Sequence, residues 1–429
     1  MIRSFYIDNF KSLVNFRLPP APHALGPFVC LVGLNGAGKS TVLQALDFVA
    51  HLARGKVQDW LDQREWKKGD LTSRFLSRQL IRFRLEFEFS SASQLVSAGK
   101  EWELGPVVWE GSFNPSLMRC TSETVSIGDR VLLRSADQMM TVQPLSNPQG
   151  KSASIEVFNL KTLKFEGSAL SLLKAGSSAF GIWALMDALA EFRSLDMLSP
   201  QSMRRRAKDA QDLGTGGERL SAYLHGLPRE ARERLIDGLQ SFYPDLHGYT
   251  TQSLRSGWKD LRIEESFRDA QGRPVQTGAR HVNDGLLRIL AILSQVDLAR
   301  RGTVLERAGM LSGHRAGTTV FFDEIENGIN PELVQKLVDH LLHAGPQVVV
   351  TTHSPLILNY LPDDVARQAV MLLYRNEQGH TQAARLFDLP SMQDKLGLLG
   401  PGEAYVDTDL NALPFEAQRL AQQPSEASA

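Results

Sequence analysis

The run Gly33-Leu34-Asn35-Gly36-Ala37-Gly38-Lys39-Ser40 restricts what this chain can fold into more than any other feature of its 429 residues. It fits the pattern GxxxxGK[ST], and its flanks fit the same structure. Phe28-Val29-Cys30-Leu31-Val32 before it is an unbroken apolar run, as in a strand covered on both faces. After it, Val42, Ala45, Leu46 and Val49 fall on one face of a helix over Thr41–Leu52. Small residues between a buried strand and a helix let backbone N–H groups turn inward around phosphates, and the helix aims its positive end at them. Lys39 then reaches the β- and γ-phosphates, and Ser40 is placed to ligate Mg²⁺. Gly33, Leu34, Asn35, Gly36, Ala37, Gly38, Lys39, Ser40 and Thr41 are therefore the expected ATP-binding residues.

Asp323 and Glu324 close the apolar run Thr319-Val320-Phe321-Phe322. In an open parallel sheet, ligands bind at the carboxyl ends of the strands. The acidic pair is thus expected beside the loop after Val32. Asp323 would hold Mg²⁺ with Ser40, and Glu324 would polarise the attacking water. General-base assistance is worth ~10²–10⁴ in rate. Thr351-Thr352-His353-Ser354-Pro355 follows a further strand, Gln347–Val350, which brings His353 to the same edge and within reach of a γ-phosphate. A capping or packing role is the other reading of His353. Asn283-Asp284-Gly285 opens a helix starting near Leu286, with Arg288 one turn in. Helix N-termini attract anions. Within one subunit a second anion site is redundant, so this one makes sense against the γ-phosphate of a second subunit. A plain helix cap by Asn283 or Asp284 is the alternative, and spacing does not choose between them.

The remainder is an ordinary globular chain, 42% apolar and 22% charged, long enough for two or three folding units. A net charge of -1 gives no global attraction to nucleic acid or anionic membrane. Cys30 and Cys120 make neither a disulfide framework nor a zinc pattern, which suits a cytoplasmic protein. The opening MIRSFYIDNF has no leader-like apolar stretch, and no run reaches the ~18 apolar residues of a membrane helix.

Residues 1–160 read as an N-terminal lobe holding the phosphate loop and an antiparallel β subdomain. Within it Ile81, Phe83, Leu85, Phe87 and Phe89 alternate with Arg82, Arg84, Glu86 and Glu88, and Gly128-Asp129 turns a hairpin. Residues 144–153 read as a loop. Residues 161–280 read as a mainly helical insertion with no sustained heptads. Residues 281–395 form a C-terminal lobe, in which Asn330-Pro331 starts a helix that Gly345-Pro346 stops. Residues 396–429 are a C-terminal segment with a disordered tail.

These pieces together resemble the ATPase heads of the ABC superfamily. The nearest branch is that of the overcoming-lysogenization-defect, RecF-like and chromosome-maintenance heads, and above all the predicted bacterial AAA-type ATPases without a coiled-coil arm. The matching stretches are NFKS at 9–12, GLNGAGKST at 33–41, NDGLLR at 283–288, FFDEIENGINP at 321–331 and TTHSP at 351–355. Ser199-Pro200 with Arg204–Arg206, and Gly217-Glu218-Arg219-Leu220, look like the same branch. The resemblance implies an α/β P-loop fold of the ABC-ATPase head type: a mixed sheet, an antiparallel β subdomain and an inserted helical region. It makes Asp323 the Walker B aspartate, Glu324 the catalytic glutamate and His353 the switch histidine. Glu326–Ile329 would be the D-loop at a dimer seam. Asn283–Gly285 would be the signature that completes the partner's site. ATP would join two subunits head to tail, and hydrolysis would release them. Two departures stand out. Asn283 replaces the signature serine, and residues 165–172, where a Q-loop glutamine belongs, contain none. Slow or partner-dependent hydrolysis is consistent with both.

Three functional readings follow. One is an ATP-gated dimeric switch working with DNA or an effector protein in bacterial DNA repair or phage defence. The others are the ATPase subunit of an ABC transporter and a P-loop kinase. Asn283-Asp284-Gly285-Leu286 is a poor transporter signature, and about 280 residues separate Lys39 from Asp323, more than a compact transporter subunit needs. A kinase leaves His353 and Asp284–Gly285 unused. Arg204-Arg205-Arg206-Ala207-Lys208 is the one local hint of nucleic acid, against a plain solvated helix face.

Overall fold

A strand that is apolar throughout needs cover on both sides, and Phe28–Val32 has a separate core on each. Val29 and Leu31 face a core shared with the helix Lys39–Arg54 and a large antiparallel sheet. Phe28, Cys30 and Val32 face a second core built with the helices Asp284–Val296 and Pro331–Leu342. The computed structural model describes residues 1–88, 94–97, 100–103, 105–143, 155–173, 180–195, 198–297, 311–312 and 318–422.

The central sheet runs in the order Arg193–Leu195, Thr319–Phe322, Gln347–Thr351, Phe28–Val32, Val370–Arg375, Thr381–Arg385. The first five strands are parallel, and the last closes a hairpin antiparallel to its neighbour. Val350 pairs with both Phe322 and Cys30, so the strands bearing the acidic pair, the histidine and the phosphate loop end level with one another.

The antiparallel lobe is an eight-stranded sheet. In its strand Ile81–Phe87 the apolar residues Ile81, Phe83, Leu85 and Phe87 are buried while Arg82 and Arg84 are exposed. Phe89 lies outside the described residues. Arg119–Ile127 and Arg130–Ala136 form the expected hairpin, with Gly128 at φ +53°. The loop expected at 144–153 lies outside the described residues, as does the tail from 423.

Region 161–280 departs from a mainly helical insertion. Phe180–Ala190, Leu220–His225 and Arg229–Phe242 are helices. Between them Arg193–Leu195 joins the edge of the central sheet, and Leu246–Ser253, Lys259–Arg268 and Pro274–Gly278 make a three-stranded antiparallel sheet. The physical reason is exposure. Polar residues such as Thr, Gln, Glu and Arg fill most positions of these strands on both sides, so no two-residue apolar alternation marks them. Arg193–Leu195 is a strand only through pairing with Val320–Phe322.

In the C-terminal lobe, Pro331 occupies the first turn of Pro331–Leu342, but the Asn330 side chain makes no cap bond among the described residues. Cys30 and Cys120 are both buried free thiols. Among the described residues no helix is long and apolar enough to cross a membrane.

Candidate functional site

After Val32 the chain turns through Gly33 (φ +146°), Gly36 (φ +77°) and Gly38 (φ +107°) before the helix starts at Lys39. Two of these positions are also sterically closed. A Cβ on Gly33 would run into the Leu373 carbonyl, and one on Gly38 into the Thr381 hydroxyl. Thr381 is the rear anchor of the loop: its hydroxyl donates to Ala37 O at 2.9 Å, and its amide donates to Ser12 O at 2.9 Å. Arg375 Nε donates to Gly36 O at 2.9 Å. The NFKS segment and the closing hairpin thus hold the loop from behind, while Leu34, Asn35 and Gly36 are exposed at its tip.

Lys39 is only 5% exposed. Its ammonium donates to Gly33 O at 2.8 Å and Leu34 O at 3.2 Å, and lies 3.5 Å from His353 Nδ1. Burial lowers its pKa, and Asp323, Glu324 and Glu326 partly restore it. A buried cation in such a cradle calls for a counter-charge, and a phosphate supplies one. Ser40 and Thr41 sit half-buried in the first turn.

On the acidic side Thr351 is the hinge pin. Its hydroxyl donates to Asp323 Oδ1 and accepts from the Glu324 amide at 2.8 Å. Arg288 is 7% exposed and donates to the carbonyls of Asp323 at 3.4 Å and Glu324 at 3.5 Å. Glu324 itself has φ +46°, a left-handed conformation rare for this residue. His353 Nε2 lies 3.9 Å from Glu324 Oε1, and the His353 amide donates to Glu326 Oε1 at 2.9 Å. The two ring nitrogens of His353 therefore span Lys39 and Glu324. The hydroxyl of Ser40 and the carboxylate of Asp323 are hard oxygen donors, the chemistry Mg²⁺ selects.

The loop Asn283–Gly285 reaches this site indirectly. Asn283 Oδ1 accepts from Leu286 N at 2.8 Å, so its side chain caps the helix. Asp284 is held by Arg204 at 2.5 Å. A Cβ on Gly285 would lie 2.8 Å from the Gly328 carbonyl, which fixes the loop against Glu326–Ile329. At the place of a Q-loop, Ser168 N donates to Leu52 O at 2.8 Å and Ala169 N donates to Glu123 Oε2 at 2.7 Å. Sequence reasoning overlooked Thr351, Thr381 and Arg375. The doublet Thr351-Thr352 before His353 was the one available signal for the first. Thr381 and Arg375 carried none.

Residues 28–106 and 267–359 match the model of the family described as "AAA domain, putative AbiEii toxin, Type IV TA system". Those two segments contain the phosphate loop, Asn283–Gly285, the acidic pair and His353. Over those two segments the chain is similar to this AAA-domain family. The chain is also similar to the OLD nuclease of Thermus scotoductus (strain ATCC 700910 / SA-01), 27% identical over 150 residues. That match covers 34% of this chain and spans 23% of the relative's length. Among solved structures the chain resembles an Smc head bound to the C-terminal winged-helix domain of ScpA, with a TM-score of 0.47 at 11% identity, covering 89% of this chain and 96% of that one. It also resembles the recombination mediator RecF, with a TM-score of 0.40 at 11% identity, covering 90% and 98%. At TM-scores below 0.5 neither likeness bears on the site.

Proposed function

We propose that this chain binds ATP with Mg²⁺, hydrolyses its β–γ phosphate bond, and works as an ATP-gated dimeric switch for an effector partner. The observation that carries the reading is the bridge formed by His353, 3.5 Å from the Lys39 ammonium and 3.9 Å from the Glu324 carboxylate. Residues far apart in sequence thus meet at one edge of the sheet, beside a buried ammonium.

The triphosphate lies along Gly33–Ser40, where Lys39 leaves the Gly33 and Leu34 carbonyls for phosphate oxygens. Ser40 and Asp323 would hold Mg²⁺, which neutralises charge on the β- and γ-phosphates. Glu324 orients a water and takes its proton. The water oxygen bonds to the γ-phosphorus as the bond to the bridging oxygen breaks, and ADP leaves with that oxygen. His353 contacts the terminal phosphate and so distinguishes ATP from ADP. Thr351 and Arg288 hold the backbone that presents Asp323 and Glu324.

The exposed tip Leu34–Gly36 and the surface formed by Asp284 with Glu326–Ile329 supply the two halves of a head-to-tail dimer, with Asn283, Asp284 and Gly285 completing the partner's site. The family description naming a toxin–antitoxin system and the similarity to an OLD nuclease favour an effector in phage defence or DNA repair. Buried free Cys30 and Cys120 are in keeping with the cytoplasm. Glu324→Gln is expected to keep ATP affinity, to lose at least ~10² in turnover, and to elute as a dimer with ATP and Mg²⁺. A variant that stays monomeric under those conditions contradicts the shared-site reading.

A further inference from the structure

The basic run Arg204-Arg205-Arg206 does not form one solvated face. Arg204 turns inward and donates to Val282 O at 2.7 Å and to Asp284 at 2.5 Å. Arg206 and Arg262 share a single carboxylate, Asp260, at 2.6 and 3.3 Å. Arg205 and Arg280 are exposed and pair with no carboxylate among the described residues. All five arginines, with His281, line one cleft of about 210 Å³, in which Asp260 is the only acidic residue among the described lining. Asp260 and Asp284 offset two of the five charges, so the cleft keeps an excess of positive charge that an anionic ligand would offset. The planar guanidinium forks match phosphate oxygens.

A second feature adjoins the cleft. Lys259 N donates to Ala207 O at 2.8 Å, which sets Trp258 beside Lys208 at the end of the arginine run. Trp258 is 42% exposed, with Lys208 Nζ 5.3 Å from its ring. Lys208 lies over one side of the ring, and the rest of the ring's exposed surface beside a cationic groove fits a chain of phosphates whose bases are unpaired. A duplex offers the phosphates but keeps its base faces stacked.

We propose that this cleft binds single-stranded nucleic acid. Arg205, Arg206, Arg262 and Arg280 receive the backbone phosphates, and Trp258 stacks on a base. Binding here does not rest on the ATPase reading, because it needs no nucleotide in the phosphate loop, and the test is run without ATP.

Fluorescence anisotropy of the full chain with labelled oligonucleotides of roughly 20 nucleotides, as single-stranded DNA, single-stranded RNA and duplex DNA, tests the proposal. At about 50 mM salt a single strand of DNA or RNA should bind more tightly than the duplex, and binding should weaken steeply toward about 200 mM. Arg205→Glu with Arg280→Glu should weaken it at least about tenfold and flatten the salt dependence. Trp258→Ala should weaken single-strand binding by about 5- to 100-fold and leave duplex binding unchanged, while Trp258→Phe restores it. If the charge-reversed protein melts early, Arg205→Gln with Arg280→Gln serves in its place. No binding by the unmodified chain, binding untouched in the arginine variants, or a tighter duplex would overturn the proposal.

Discussion

Glu324 adopts a backbone conformation that costs a non-glycine residue on the order of 1–3 kcal/mol, held by bonds from Thr351 and Arg288 on either side. In the proposed mechanism the residues beyond the strand ends, Lys39, Asp323, Glu324 and His353, all serve one triphosphate. Removing the His353 ring by His353→Ala should lower kcat at least about tenfold and change the dissociation constant for ATP by less than about threefold, as expected of a contact made chiefly as the reaction proceeds. Equal loss in both would return His353 to a packing role. That Lys39, Asp323, Glu324 and His353 meet at one edge was legible in the sequence, because each follows an apolar run and strand ends in a parallel sheet share an edge. Thr351 was not, because a threonine at the end of Gln347–Thr351 reads as an ordinary β-branched strand residue. Asn283 caps its helix by accepting from Leu286 N, a bond that spacing alone does not reveal and that leaves the proposed role of Asn283–Gly285 toward a partner in place.

Between elements, the contact of Gly285 with Gly328 joins the helix Asp284–Val296 to the segment after Glu324. Propensity alone favours Gly285→Ala by up to about 1 kcal/mol. A methyl 2.8 Å from a backbone carbonyl is overpacked and costs about 1–3 kcal/mol. The steric term wins, so the variant should melt lower, and calorimetry checks it. Glu123 joins the antiparallel sheet to the turn Ala169–Leu172. Burial raises its pKa from 4.5 to about 7, against hydrogen bonds from Ser168 and Ala169. The folded protein then binds a proton here that the unfolded chain has released, so stability from this group is full below pH 4.5 and falls as pH rises toward 7. At about 1.4 kcal/mol per unit the loss is on the order of 3 kcal/mol. Melting temperatures of Glu123→Gln and the unmodified chain should diverge between pH 5 and 8, with the glutamine form gaining. The strands between 246 and 278 stayed hidden in the sequence because polar residues fill most positions on both sides, with Leu246, Tyr249, Leu261 and Ile263 the buried apolar side chains, whereas the alternation of Ile81–Phe87 and the unbroken run Phe28–Val32 announce themselves.

Across the whole molecule, the strand Gln347–Thr351 closes the long sequence gap between Lys39 and Asp323 by pairing with the strand that precedes each. The two cores on either side of the sheet fix that arrangement, and their apolar runs made the α/β fold legible from the start. The direct check is a structure of Glu324→Gln crystallised with ATP and Mg²⁺. It should show one triphosphate on Gly33–Ser40, the Lys39 ammonium moved from the Gly33 and Leu34 carbonyls to phosphate, and the cation between Ser40 and Asp323. A nucleotide seated elsewhere, or a cation held away from Asp323, would contradict the account.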